Sequence, residues 1–286
     1  MKIVPIHTWG GLGSQLFALA LHFDLEREIN LKTYIVLHSS GVTKRRPELE
    51  DHWPQIQVLK VDDFEDSRVA ATSQLSVPNL NPLRRVSRSL LNVSGLIATC
   101  NTDKEFKRVR PFVKQFRGHY SNRHITPWTI NAISNSAKYT NGTLVSINDE
   151  VSEELSMHYR LGDLLTLPIK KPLDSKRVSN LIQRICRENN LSHLLISSDS
   201  PEVAIQNLQI SSFIKCHLVH GDSFKTIQQL QNSYIFVGTN SKISLWIALI
   251  RIYFKEYKDS WMPKEMMGHL VDNIDNSLLR RYIHFY

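Results

Sequence analysis

Cysteine is scarce and unpaired: Cys100, Cys186 and Cys216 are odd in number, far apart and never in a Cys-x-x-Cys pair. They fit neither a disulfide framework nor a zinc site, so a reducing, cytoplasmic setting is expected. Long apolar runs are missing too. No stretch reaches the roughly 20 residues of a membrane span, and the most apolar one, Ile243 to Phe254, is short and carries Arg251. The opening MKIVPIHTWGGLG is broken by Pro5 and His7 and does not read as a signal peptide. A soluble protein is the expectation. Basic residues exceed acidic ones, 35 to 27, for a net charge of +8. Yet no basic helix alternates with aromatics as in nucleic-acid modules, and no nucleic-acid partner is expected. The clusters Lys44-Arg45-Arg46, Arg84-Arg85 with Arg88, and Lys104 to Arg110 read instead as a rim facing anionic lipid or a phosphorylated substrate.

What is present is ordinary globular material: 286 residues, 42% hydrophobic and 22% charged. That length suits two domains of about 130–150 residues each, here taken as 1–150 and 151–286. Ile3, Val4 and Ile6 form a short strand with Pro5 at its end or at an irregular position, followed by Gly10-Gly11-Leu12-Gly13. Ser14 is the expected N-cap of a helix whose Leu16, Ala20 and Phe23 share a face. Lys32 to His38 restores a strand, completing a β-α-β unit. Residues 66 to 100 read as a surface excursion with a short helix near Val86 to Leu91, and Asn141-Gly142 as a turn. Beyond residue 150 strands and helices alternate regularly. Leu155–Arg160, His193–Ser197, Cys216–Val219 and Tyr234–Val237 are strands, and helices open at Asp174, Ser200-Pro201, Asp222 and Ser241. The expected fold class is α/β, with two Rossmann-like domains facing across a cleft.

Four polar clusters fall between a strand and a helix. Gly10-Gly11-Leu12-Gly13 would let backbone N–H groups approach an anion, or is simply a tight turn. In His158-Tyr159-Arg160-Leu161-Gly162-Asp163, His158 and Arg160 are two apart on a strand and share a face. An Arg fork there suits a phosphate; a structural Arg–Asp pair beside a satisfied His is the other reading. Ser197-Ser198-Asp199-Ser200 supplies an acceptor for a base or ribose, or merely caps a helix. Gly238-Thr239-Asn240-Ser241-Lys242 offers hydroxyls and amides to a pyrophosphate, or again a cap. One phosphate-bearing nucleotide explains all four together.

The motifs also resemble a known family. Gly10-Gly-Leu-Gly-Ser-Gln-Leu-Phe17 is similar to the GGLGNQLF opening of the α-1,2-fucosyltransferases of glycosyltransferase family 11. His158 to Asp163 resembles their HxRRGD signature, and Gly118-His-Tyr-Ser121 their GYxQS stretch. Ser198-Asp199 resembles SDD, and Asn240 to Trp246 resembles SSFSWW. The order and spacing match across essentially the whole chain. The departures are Ser14 for Asn, Leu161 for the second Arg, Ser200 for the second Asp, and a single Trp in the last motif.

The resemblance implies a GT-B architecture and an inverting, metal-independent transfer of fucose from GDP-fucose to a glycan hydroxyl. It implies no cofactor beyond that co-substrate; no Asp-x-Asp pair occurs in the chain. It assigns Arg160 and Asp163 to catalysis. It assigns Gly10, Gly11, Gly13, His158, Arg160, Asp199, Ser200, Asn240 and Ser241 to the donor, and His119 and Tyr120 to the acceptor side. Arg160 would neutralise the β-phosphate, and His158 and Asp199 would contact the guanosine. Asp163, Asp24 and His119 are candidate bases, with Asp24 read as an exposed helix residue. The alternatives are a non-catalytic GDP-sugar-binding protein and a transferase of another GDP-sugar.

Overall fold

The computed structural model describes residues 3–38, 48–61, 90–91, 93–137, 144–145, 152–165, 171–255 and 259–286. Outside them lie Lys44-Arg45-Arg46, Arg84, Arg85 and Arg88, most of the 66–100 excursion and the Asn141-Gly142 turn. The Asp163 side chain lies outside them too. The chain divides into two compact units, Met1–Asn141 and Gly142–Tyr286.

The first unit contains β1 (Val4–Trp9), α1 (Leu12–Ile29), β2 (Thr33–His38), α2 (Leu49–His52) and β3 (Val58–Val61). After these come β4 (Ile97–Ala98), α3 (Asp103–Phe106), β5 (Gln115–Arg117) and α4 (Pro127–Ser136). Its strands lie in the order β3-β2-β1-β5-β4, every pair parallel.

Pro5 is the second residue of β1, one place in from the strand's first residue. The Val4 N–H bonds Lys32 on the β2 side at 3.0 Å. Neighbouring residues point their N–H groups to opposite sides, so the missing N–H of Pro5 falls on the β5 side. There pairing involves only Ile6 and His7; no ladder bond is lost. The expected cap is also displaced. Gly11 is the N-cap of α1 and Ser14 lies within its first turn, because Gly10, at φ +90°, turns the chain into the helix early.

Asp24 is buried rather than exposed, at 5%. Arg123 donates to its Oδ2 at 2.5 Å and the Thr129 hydroxyl to its Oδ1 at 2.9 Å. Burial raises its pKa, and Arg123 and Thr129 pull the other way. The reason is tertiary: the partners lie about a hundred residues along the chain, where periodicity has no reach.

The second unit holds β6 (Ser152–His158), a 3-10 turn (Gly162–Leu165), α5 (Ser175–Glu188), β7 (His193–Ser197), α6 (Pro201–Asn207) and β8 (Lys215–Leu218). Then follow α7 (Ser223–Leu230), β9 (Ser233–Gly238), α8 (Lys242–Phe254), β10 (Ser260–Met262), α9 (Met267–Asn273), α10 (Asn276–Tyr282) and β11 (Ile283–Phe285). The order is β11-β10-β9-β6-β7-β8, again parallel throughout.

Local chemistry sets the helix starts. Asp174 accepts from the Lys176 N–H and Asp222 from the Lys225 N–H, each at 2.9 Å. Pro201 occupies the first turn of α6 behind Ser200. Apart from Arg251, helix α8 is apolar from Leu245 to Ile252, and this whole span is buried. The architecture is α/β as expected, and both units are all-parallel sheets with crossover helices. Among the described residues no helix is long and apolar enough to cross a membrane.

Candidate functional site

Strand order locates the crevice of the second unit. From β6 the chain steps outward through β7 to β8, then returns to β9 on the other side of β6 and steps outward again to β10. The strand order reverses between β6 and β9, and open α/β sheets bind ligands at the carboxyl ends of strands at such a point. His158 ends β6, in register with Gly238 of β9 on one side and Ser197 of β7 on the other. Three of the four polar clusters therefore meet at one sheet edge.

His158 is 8% exposed, and its Nδ1 lies 2.8 Å from the Ser244 hydroxyl. Burial lowers its pKa to about 4; Asp199 opposes the shift and Arg160 adds to it. The ring is neutral at pH 7. Nε2 makes no hydrogen bond among the described residues.

Arg160 lies two residues beyond the strand, since β6 stops at His158. The expectation of two side chains sharing a face of one strand is corrected accordingly. The backbone departs from the ladder where the Tyr159 N–H bonds Ser197 at 2.8 Å and the Arg160 N–H turns to the Thr239 hydroxyl at 3.0 Å. Its side chain is half-buried.

Asp199 is exposed, and its Oδ1 accepts the backbone N–H groups of Leu161 at 2.8 Å and Gly162 at 2.9 Å. It caps the turn of the Arg160 cluster, not helix α6. A Cβ at Gly162 would stand 2.2 Å from Asp199 Oδ2; the glycine of one motif makes room for the carboxylate of the other. Ser200 takes the N-cap position of α6 without a side-chain cap bond. Instead the Ser198 hydroxyl accepts the Ser200 N–H at 3.1 Å.

Ser241 is the N-cap of α8, its hydroxyl accepting the Ile243 N–H at 3.2 Å, and Asn240 beside it is half-buried. Leu161, where the resembled signature has a second Arg, is fully buried in the hydrophobic core. Sequence reasoning missed Thr239 and Ser244 as individual residues. Both lie inside quoted motifs, and two hydroxyls flanking a cap were the available signal.

One expectation about Asp199 is now sharp. Asp199→Ala removes a charged acceptor from two N–H groups and should cost about 1.5–3 kcal/mol of stability. Asp199→Asn keeps an oxygen for both and should remain near wild type by thermal unfolding. If Oδ2 also reads a base, Asp199→Asn should still relax the preference among nucleotides in a binding titration.

The glycine cluster belongs to the first unit. Gly10 makes the turn, Gly11 caps α1 and Gly13 is buried in its first turn. Gln15, 1% exposed, fixes this loop: Nε2 donates to the Gly10 carbonyl at 2.8 Å, while Oε1 accepts from Glu48 at 3.1 Å and Leu49 at 2.9 Å. His7 and His38, at the carboxyl halves of β1 and β2, are 2.9 Å apart. Burial lowers their pKa values to about 3 and about 4, with Arg117 adding to both.

His119 is exposed, with its ring edge-on to Trp9 at 4.7 Å. Tyr120 is wholly buried, and its hydroxyl donates to the His7 carbonyl at 2.7 Å. It is a core residue and presents no surface to an acceptor.

No family model matches the chain, and no curated protein matches it. Among solved structures the chain is similar to the heptosyltransferase WaaC of E. coli with ADP, at 10% identity and TM-score 0.48 over 99% of this chain and 92% of that one. It is also similar to the fucosyltransferase NodZ from Bradyrhizobium, at 12% identity and TM-score 0.45 over 87% and 94%. A third is a glycosyl transferase family 9 protein from Veillonella parvula, at 11% identity and TM-score 0.45 over 91% and 80%. Likenesses this distant say nothing of substrate, and the chemistry of the site has to carry the function.

Proposed function

We propose that the chain is an inverting glycosyltransferase of GT-B type that takes a GDP-sugar, with fucose as the sugar and a glycan hydroxyl as acceptor. One observation carries this reading. Polar clusters that resemble the donor motifs of fucosyltransferases, separated by up to 79 residues, end at adjacent positions of one sheet edge. That edge is the reversal point where a nucleotide fits.

In this reading Arg160 neutralises the departing pyrophosphate, and the backbone N–H groups at the start of α8 add partial positive charge. The neutral His158 offers Nε2 to the nucleoside. Asn240 and Ser241 line the phosphate end, and Ser200 the nucleoside end. The resemblance assigns Gly10, Gly11 and Gly13 to the donor and His119 to the acceptor. The leaving group departs through an oxocarbenium-like transition state without a metal. The acceptor proton passes to Asp163 or His119, or directly to solvent. Peripheral contact with anionic lipid and a cytoplasmic location complete the proposal.

A non-catalytic GDP-sugar-binding protein is the second reading. The burial of Leu161 favours it, because no second Arg can share the charge there. A thermal-shift screen across GDP-, UDP-, CMP- and dTDP-sugars tests both. GDP-sugars alone should stabilise the protein, by about 2.7 kcal/mol at 100 times the dissociation constant. Equal shifts with UDP-sugars would contradict the donor assignment. Transfer from GDP-fucose to a glycan library then separates enzyme from binding protein.

A further inference from the structure

Thr239 follows β9 directly and is 1% exposed. Its hydroxyl has two backbone partners at the end of the neighbouring strand, β6. Oγ1 donates to the His158 carbonyl at 2.8 Å and accepts the Arg160 N–H at 3.0 Å. A hydroxyl carries one proton and two lone pairs, so both bonds hold at once. The paired register of β6 and β9 ends at His158 and Gly238, and the threonine side chain extends it one step further.

Around it every backbone N–H from Tyr159 to Gly162 is held. The Tyr159 N–H bonds Ser197 at 2.8 Å, and Asp199 Oδ1 takes the next two N–H groups, of Leu161 and Gly162. The Thr239 N–H is itself fixed, donating to the Ser244 hydroxyl at 3.1 Å, the same hydroxyl that meets His158 Nδ1. One hydroxyl pair, Thr239 and Ser244, thus sets the backbone under Arg160 and the ring of His158.

We propose that Thr239 is a positioning residue: its hydroxyl fixes the backbone of Arg160 and so aims the guanidinium at the phosphates of a nucleotide-sugar. The proposal rests on the transferase reading given above. Its physical basis is leverage, since a long side chain magnifies any rotation at its root. Misplacement of a reacting group by about 1 Å can cost about 10²-fold in rate.

Thr239→Val keeps the shape and removes the hydroxyl, whereas Thr239→Ser keeps the hydroxyl. With GDP-fucose as donor, Thr239→Val should lower kcat by about 10–100-fold with little change in KM, and Thr239→Ser should stay within about threefold of wild type. Amide exchange at Arg160 should be at least about tenfold faster in the valine variant and unchanged in the serine variant. Should valine prevent folding, Thr239→Cys carries the same expectation, because a thiol is a weak donor and acceptor. Wild-type kcat per folded molecule in Thr239→Val, or a folded Thr239→Ser as slow as valine, would overturn the proposal. Failure of the wild type to bind any nucleotide-sugar overturns the transferase reading, and with it the aim of Arg160. Exchange at Arg160 still reports separately whether Thr239 holds it.

Discussion

Replacing Arg160 by alanine is expected to lower turnover by about 10²–10³-fold, the scale seen when one transition-state donor is removed. The side chain is half-buried at the reversal point of the sheet, and its backbone N–H is held by the Thr239 hydroxyl. The folded protein should therefore survive the change. With Leu161 buried in the core, the position that would hold a second Arg faces away from any ligand. Arg160→Lys should also lose most activity, because an ammonium lacks the planar fork that grips two phosphate oxygens. If Arg160 serves only to pair with Asp163, the two alanine variants should instead destabilise alike, with activity tracking the folded fraction. Turnover measured per folded molecule decides between the two.

The largest loss of stability is expected at Arg251. This residue of α8 is 0% exposed, yet its guanidinium is fully used. Nη1 donates to the carbonyls of Gln231 at 3.0 Å and Ser233 at 2.6 Å. Nη2 reaches Tyr234 at 3.0 Å and Asp259 at 3.1 Å, and Nε reaches the Ser260 hydroxyl at 3.2 Å. It ties the start of β9 to the start of β10, at the sheet edge opposite the site. Burial lowers its pKa to about 9, with Asp259 opposing, so it remains charged at pH 7.

Arg251→Ala leaves these buried acceptors without a donor. It should cost about 3–5 kcal/mol, the scale for stripping a partner from a buried charged network. That is roughly 6–20 °C in Tm for a unit of this size. Arg251→Lys should recover only part, since three donors on one nitrogen cannot reach acceptors spread around a fork. Calorimetry on the folded variants checks both. A loss below about 1 kcal/mol for alanine would show that water replaces the guanidinium.

The second unit was far more legible in the sequence than its site. Asp174, Asp222 and Ser241 mark helix starts through bonds spanning two or three residues, and such bonds are visible in a local window. The strand β7 matched its expected span, His193–Ser197, because it is bounded by turn residues and filled with apolar ones. Bonds across the chain were not visible. Thr239 acts on residues 79 and 81 positions away, and Asp24 on one 99 away. Asp24 was misjudged because a charged residue on a helix reads as exposed until its partners are known. Asp199 was read as an acceptor for a base or ribose, or as a helix cap, and the N–H groups its Oδ1 accepts, those of Leu161 and Gly162, lie 37–38 residues away, beyond any local window. Tyr120 was assigned to the acceptor side by the resemblance alone, but it has a left-handed backbone, φ 55°, and lies in the core.

The central claim is that the carboxyl edge of the second unit, around His158, Arg160 and Thr239, holds a guanosine diphosphate. Calorimetric titration of GDP into the protein in EDTA tests it most directly. Saturable binding of one GDP per chain is expected, weakened by at least about tenfold in Arg160→Ala, where a charge-assisted contact worth about 1.5–3 kcal/mol is lost. Absence of binding by the wild-type protein, or equal affinity in Arg160→Ala, would contradict it.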